Sequence, residues 1–186
     1  MKNNPFEWDN YSDQPYILKD KKYKKAMRKK YVLDYIKLFF TSLIVLPISM
    51  LLMKFFKANE KLEYGIGVNL DKGEEQYNLV KELGVKHLLI RIPLWEVKNI
   101  DKYTNFIKKF KEQDKDIKIL INIMQDRQNI ENYCLLTENI KTVFERLSPY
   151  VNEFQVGTTI NRAKWGFFSV VEYLNFFKTV QDIRDK

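Results

Sequence analysis

The chain has very few cysteines and histidines, and this limits its chemistry. Among 186 residues there is one cysteine, Cys134, and one histidine, His87. A single cysteine excludes a disulfide within the chain and the metal sites that need several cysteines. A single histidine excludes the HExxH zinc motif and histidine-rich ligand sets. The sequence also lacks a glycine-rich phosphate loop and a nucleophile elbow. We therefore expect no metal and no cofactor.

Glycine and proline are also scarce, with six and five residues, so most of the chain is not of low complexity. Cys134 stands beside Leu135 and Leu136, which predicts a small buried apolar residue. His87 lies near the start of a predicted strand, where we expect a packed or interfacial histidine and not a catalytic one.

The positive charge is concentrated near the N-terminus. Residues 1–55 carry eleven Lys and Arg against five Asp and Glu, whereas the remaining 131 residues carry 21 against 19. The folded part is therefore nearly balanced, and no nucleic-acid partner is expected.

One long apolar run is present. Leu38 to Met53 has no charged residue, and with its apolar neighbours the run covers 36–56, which are 21 residues. As a helix it measures roughly 30 Å, the thickness of the hydrocarbon core of a bilayer. Lys37 and Lys54 lie near its ends, where their ammonium groups can reach the lipid head groups. The pattern predicts a transmembrane helix and a lipid bilayer as partner; a buried core helix is the alternative.

The basic residues before this run predict its orientation. Eight Lys and Arg lie between Lys19 and Lys30, and such residues stay on the cytoplasmic side. No small-residue cleavage site follows the run, so we expect an uncleaved anchor. The predicted organisation is a cytoplasmic basic tail at 1–35, the membrane helix at 36–56, a linker at 57–63 and a periplasmic or extracellular domain at 64–186. Residues 1–18, with aromatic residues including Tyr11, are expected to form a mobile tail.

After the linker, a strand-then-helix pattern occurs four times. Strands are predicted at 64–69, 86–92, 117–123 and 153–157, and helices near 74–83, 100–111, 138–147 and from 169 onward. The first helix is predicted to have an apolar face of Leu79, Val80 and Leu83 and to end at Gly84. The second has a predicted apolar face of Tyr103, Phe106, Ile107 and Phe110, and the last is predicted to bury Tyr173, Leu174, Phe177 and Val180. Alternation of this kind predicts an α/β fold with parallel strands.

Parallel strands joined by right-handed crossovers have their carboxyl ends at one edge, where function usually lies. Candidate residues follow each strand: Asn69, Asp71, Arg91, Trp95, Glu96, Gln125, Asp126, Arg127, Thr158, Thr159, Asn161, Arg162 and Trp165. An indole face beside amide and guanidinium groups suits a sugar ring and its hydroxyls. The residues predicted to bind substrate are Arg91, Trp95, Asn161, Arg162 and Trp165.

Two motifs carry a resemblance to a known family. Arg91 occurs in LLIRIPLW, and Gly157 to Asn161 reads GTTIN. Residues 64–186 resemble the first half of a clan-A glycoside hydrolase, a (β/α)8 barrel. In that family an arginine closes the second strand region, and the fourth strand ends in a Gly-Asn-Glu-Pro-Asn type motif whose Glu is the general acid/base. The resemblance implies a partial barrel of about four βα units.

The chain departs from the family in two ways. Thr159 stands where the family has its Glu, and a threonine hydroxyl cannot protonate a leaving glycosidic oxygen. The family's nucleophile lies on the seventh strand, beyond the four units expected here. We therefore expect no catalytic residue and a truncated, catalytically incomplete domain. Glu96 and Asp126 follow neighbouring strands and are the only alternative carboxylate pair that we consider.

The sequence leaves three functions open. The first is a membrane-anchored, glycoside hydrolase-like domain that acts on or binds a cell-surface polysaccharide. The second is a non-catalytic carbohydrate-binding or scaffolding half-barrel. The third is an unrelated four-stranded α/β domain with a structural role. Because a half-barrel has two open strand edges, self-association or a separate C-terminal half is an expected partner.

Overall fold

The structure is a computed structural model that describes residues 6–9, 14–56 and 63–185. These residues form two compact units. The N-terminal unit comprises the described residues up to 56 together with 160–174, and the sheet unit comprises 63–159 and 175–185. Tyr11 and the predicted linker, apart from Glu63, lie outside the described residues.

The N-terminal unit begins with regular structure that the sequence did not predict. Two short strands, β1 (Trp8–Asp9) and β2 (Gln14–Pro15), pair antiparallel. Helix α1 (Lys21–Lys30) follows, and the Asp20 carboxylate caps it by accepting a hydrogen bond from the Tyr23 amide at 2.9 Å. The described residues of the predicted mobile tail thus have regular structure. Their apolar side chains pack on residues more than 130 positions later in the chain.

Most of the apolar run lies in helix α2 (Val32–Met53), which contains Pro47 in its interior. Its 18-residue window has a mean hydropathy of 2.1, and none of that window is buried. It is one helix within the described ranges that is long and apolar enough to cross a membrane. The alternative of a buried core helix was wrong, because α2 leaves its apolar side chains exposed.

The sheet unit contains four parallel strands, paired in the order in which they follow each other along the chain. They are β3 (Gly65–Val68), β4 (His87–Pro93), β5 (Lys118–Met124) and β6 (Glu153–Val156). This confirms the predicted α/β class and parallel sheet. Within the described residues β3 and β6 are the outer strands, so the sheet is open, and the partial barrel stays a prediction.

Among the described residues, five helices follow the first strand of the sheet. They are α3 (Glu75–Leu83), α4 (Ile100–Gln113), α5 (Arg127–Glu131), α6 (Tyr133–Leu147) and α7 (Val170–Arg184), of which α7 begins in the N-terminal unit and ends in the sheet unit. The apolar face predicted for α4 is confirmed, since Tyr103, Phe106, Ile107 and Phe110 are all buried. On α6, Phe144 packs edge-on against Phe154 of β6.

Side chains on one face of the sheet are completely buried. On β4 and β5 these are Ile90, Ile92, Ile121 and Ile123, each 0% exposed. Their alternation follows from the pleat, which sends successive side chains to opposite faces. The opposite face carries Arg91, which is half-buried. Further polar residues lie on this face near the carboxyl edge of the sheet.

Two predictions of burial, on α7 and at Cys134, were wrong, and the apolar face predicted for α3 is mostly exposed. On α3 only Val80 is buried, whereas Leu79 and Leu83 are more than half exposed. On α7 the buried residues are Phe176, Thr179 and Val180, while Leu174 is 54% exposed. Cys134 is exposed, because it lies two residues, about half a turn, before the first buried residue of α6, Leu136, and so faces away from the buried side.

Candidate functional site

The candidate site is the carboxyl edge of the sheet, where side chains from neighbouring strands share one register. Arg91 on β4 lies opposite Asn122 on β5, and Asn122 lies opposite Gln155 on β6. These three residues form a polar row across a sheet whose other face is apolar. The row places a guanidinium and two amides next to one another on neighbouring strands.

Asn122 is the buried member of this row. It is 2% exposed, and its Nδ2 donates to the Gly157 carbonyl oxygen at 3.2 Å. Its Oδ1 is buried and has no hydrogen-bond partner within the described part of the chain. A buried acceptor without a partner costs about 1–3 kcal/mol, which marks Asn122 as an unusual position in the sheet.

The loop after β6 is held by the side-chain amide of Gln125, which directly follows β5. The Gln125 side chain donates from Nε2 to the Thr158 carbonyl at 2.7 Å and accepts from the Thr158 amide at 2.9 Å. Gly157 has φ 78° and Thr159 has φ 46°. A β-branched residue at positive φ is strained, so the backbone is strained at Thr159 in this loop.

Glu96 is engaged by a buried tyrosine. The Tyr103 hydroxyl donates to Glu96 Oε2 at 2.6 Å, and Tyr103 is 5% exposed. Burial, together with the neighbouring Glu96 carboxylate, strongly raises the pKa of the Tyr103 hydroxyl. Tyr103 therefore remains a neutral donor at ordinary pH, and its contact with Glu96 ties the 3₁₀ helix Leu94–Asn99 to α4.

Asp126 has a structural role at the start of α5. Its carboxylate accepts from the Asn129 amide at 2.9 Å and from Asn129 Nδ2 at 2.6 Å. Asn139 Nδ2 in turn donates to Asn129 Oδ1 at 2.8 Å. Burial raises the pKa of Asp126, and the hydrogen bonds from Asn129 partly oppose this shift.

The five predicted substrate-binding residues fall in different units. Arg91 lies on β4, and Trp95, which is 39% exposed, lies two residues after the end of that strand. Both belong to the sheet unit. Asn161, Arg162 and Trp165 belong to the N-terminal unit. There Asn161 and Arg162 are exposed, and Trp165 packs edge-on against Trp8 with ring centroids 5.8 Å apart.

Sequence reasoning missed Asn122, Asn129 and Asn139. Asn122 carried a usable signal, because it is the one uncharged polar residue within the apolar run IKILINI. Asn129 and Asn139 gave no comparable signal, since asparagine is common on helix surfaces and at caps. His87 is partly buried, as expected, and its Nε2 lies 3.0 Å from Glu63.

Two further features bear on the chemistry. Among the described residues no cluster of three or more His, Cys, Asp or Glu is arranged to hold a metal ion. A groove between α3 and α4 is lined by Tyr77 and Phe106 and crossed by an ion pair between Lys109 and Glu74. Burial raises the pKa of Tyr77 to about 12, so its hydroxyl is not a base there.

Comparison with family models, curated proteins and solved structures found no match for this chain. The likeness to glycoside hydrolases therefore rests on LLIRIPLW, GTTIN and the order of strands and helices.

Proposed function

We propose that this protein is a membrane-anchored, glycoside hydrolase-like domain, catalytically incomplete, that binds cell-surface polysaccharide at the carboxyl edge of its parallel sheet. In this proposal α2 crosses the bilayer, the N-terminus is cytoplasmic and the sheet unit is periplasmic or extracellular. The exposed apolar surface of α2 supports the anchoring. The basic residues of α1 support the orientation.

The observations that carry the binding proposal are the polar row of Arg91, Asn122 and Gln155 and the exposed indole of Trp95, which follows β4 along the chain. Arg91 and Asn122 lie in register, and the buried Asn122 Oδ1 has no hydrogen-bond partner among the described residues. Trp95 follows Arg91 by four residues and is 39% exposed. A sugar ring can stack on the indole while its hydroxyl groups donate to amide oxygens and accept from the guanidinium.

The same edge gives little support for hydrolysis. Thr159 cannot act as the acid. Glu96 accepts a hydrogen bond from Tyr103, and Asp126 caps α5. Both carboxylates therefore already serve structural contacts. We expect no glycan turnover, and hydrolysis that persists in a variant lacking both Glu96 and Asp126 would contradict this assignment.

The binding proposal is tested by co-sedimentation with insoluble polysaccharides. The full chain, in a detergent without a sugar head group, should sediment with at least one cell-surface polysaccharide, and Trp95→Ala should abolish this. Trp8→Phe is the matched control, because Trp8 and its contact Trp165 both belong to the N-terminal unit, whereas Trp95 belongs to the sheet unit. Equal retention of Trp95→Ala and the unaltered chain would refute the assigned site.

A scaffolding role is the second candidate, and the open strand edges favour it. β3 and β6 each pair with one neighbour among the described strands. Unpaired backbone groups at such edges favour pairing with another chain, either a second copy or a separate chain that carries the remaining strands. Sedimentation equilibrium of the full chain in density-matched detergent should give twice the monomer mass, and a monomer would exclude self-association.

A further inference from the structure

The N-terminal unit joins residues from the two sides of α2 in the sequence. Leu18 and Met27, which precede α2, are buried together with Phe168, which follows it by more than 110 residues. The Phe168 ring meets Phe6 and Tyr23 edge-on, with centroids 6.4 and 5.7 Å apart. We call these five residues the N-terminal cluster.

Polar contacts join the same two parts of the chain. The Tyr31 hydroxyl donates to the Glu172 carboxylate, which also accepts from the Phe168 amide at 2.8 Å. The Tyr35 hydroxyl, in the first turn of α2, donates to the Phe168 carbonyl at 2.5 Å. A more exposed contact runs from Lys164 Nζ to Gln14 Oε1 at 2.8 Å. The N-terminal cluster therefore adjoins the start of the apolar helix.

A membrane-spanning α2 cannot keep these contacts. The helix has 22 residues, about 33 Å at 1.5 Å per residue, so its two ends would lie at opposite surfaces of the bilayer. Lys57, Glu60, Lys61 and Glu63 follow it. A segment that carries these four charges does not return through the hydrocarbon core. Residues 163–172 would then be on the side opposite to Leu18 and Met27.

We propose that the N-terminal cluster and membrane crossing by α2 are alternative states of this protein. The cluster holds the described residues before α2 against residues 163–172 while α2 is outside a bilayer. Crossing separates them and uncovers Phe168 and Glu172 on the far side. This inference rests on the membrane anchoring proposed above and adds a conformational change that accompanies it.

The test is crosslinking of a cysteine pair across the Lys164–Gln14 contact. Gln14→Cys and Lys164→Cys are combined with Cys134→Ser in the full chain and treated with a short, membrane-permeant bismaleimide. The protein is compared in micelles, which have no second aqueous compartment, and after co-translational insertion into sealed vesicles with their cytoplasmic face outward. Lys86→Cys with Asp114→Cys is the matched control, because this ion pair lies wholly within the sheet unit.

We expect the 14–164 pair to crosslink in micelles and to lose its crosslink in vesicles, while the 86–114 pair crosslinks in both. External protease should leave the sheet unit of the inserted protein intact. An undiminished 14–164 crosslink in vesicles, or none in micelles, would overturn the inference. Digestion of the sheet unit by external protease would refute the crossing itself and with it the inference, whereas polysaccharide binding is measured independently of both.

Discussion

Replacing Phe168 by alanine should open the N-terminal cluster in the uninserted protein. Phe168 is 4% exposed. A phenylalanine buries roughly 150–250 Å², which at about 25 cal/mol/Å² corresponds to about 4–6 kcal/mol. Because that area is counted against an extended chain, it is an upper value, and measured Phe→Ala costs in cores are about 3–5 kcal/mol. Even about 3 kcal/mol shifts an opening equilibrium by roughly 100-fold.

The opening is measured as the rate of thiol labelling at a buried position. Met27, which is 8% exposed, is replaced by cysteine in a Cys134→Ser background of the full chain in micelles. Adding Phe168→Ala should accelerate labelling by about 100-fold if labelling follows the open population. Leu174→Ala is the control, because Leu174 is 54% exposed and should leave the rate nearly unchanged. Equal rates for the two variants would refute the reasoning.

Three further predictions concern the sheet unit, each measured by denaturant unfolding of the full chain in micelles. Burial raises the pKa of Asp126, so the folding stability that its protonated carboxyl contributes is present below the unfolded pKa of about 3.9 and is lost as pH rises through the folded pKa. The stability of Asp126→Asn relative to that of the unaltered chain should therefore increase between about pH 4 and pH 7. A stability difference that does not change with pH would contradict this. Tyr103→Phe removes the donor to Glu96 and should cost about 1–2 kcal/mol, and an unchanged midpoint would exclude that bond. Gln125→Leu leaves the Thr158 amide and carbonyl unpartnered, so it should cost about 1–3 kcal/mol for each group that water does not reach and weaken polysaccharide retention; normal stability and retention would show that this loop is not part of the site.

The sequence predicted the strands and the buried face of α4 well, because each rests on a local pattern. The strands are short apolar runs whose observed ends lie within one or two residues of the predicted ends. On α4, lysines alternate with apolar residues over 14 positions and leave one choice of buried face. Gly84 was predicted to end α3, and its left-handed conformation at φ 64° confirms this.

Other features depend on residues that are distant in the sequence. Leu174 and Phe176 both lie in α7, where apolar residues occur on several faces of the helix. The periodicity of the sequence therefore could not show which face is buried. Likewise, Phe6 and Leu18 have no apolar period around them, and their burial follows from contact with Phe168. The unpartnered oxygen of Asn122 is a property of packing, which no spacing in the sequence encodes.

The sugar site that we propose lies at the carboxyl edge of the sheet and includes Trp95. The most direct measurement is a fluorescence titration of the full chain in which Trp8 and Trp165 are replaced by phenylalanine, so that Trp95 is the one remaining tryptophan. We predict a saturable change in Trp95 emission with an oligosaccharide of the retained polysaccharide, and loss of that change in Asn122→Leu. An unchanged emission up to millimolar oligosaccharide would refute a sugar site at Trp95.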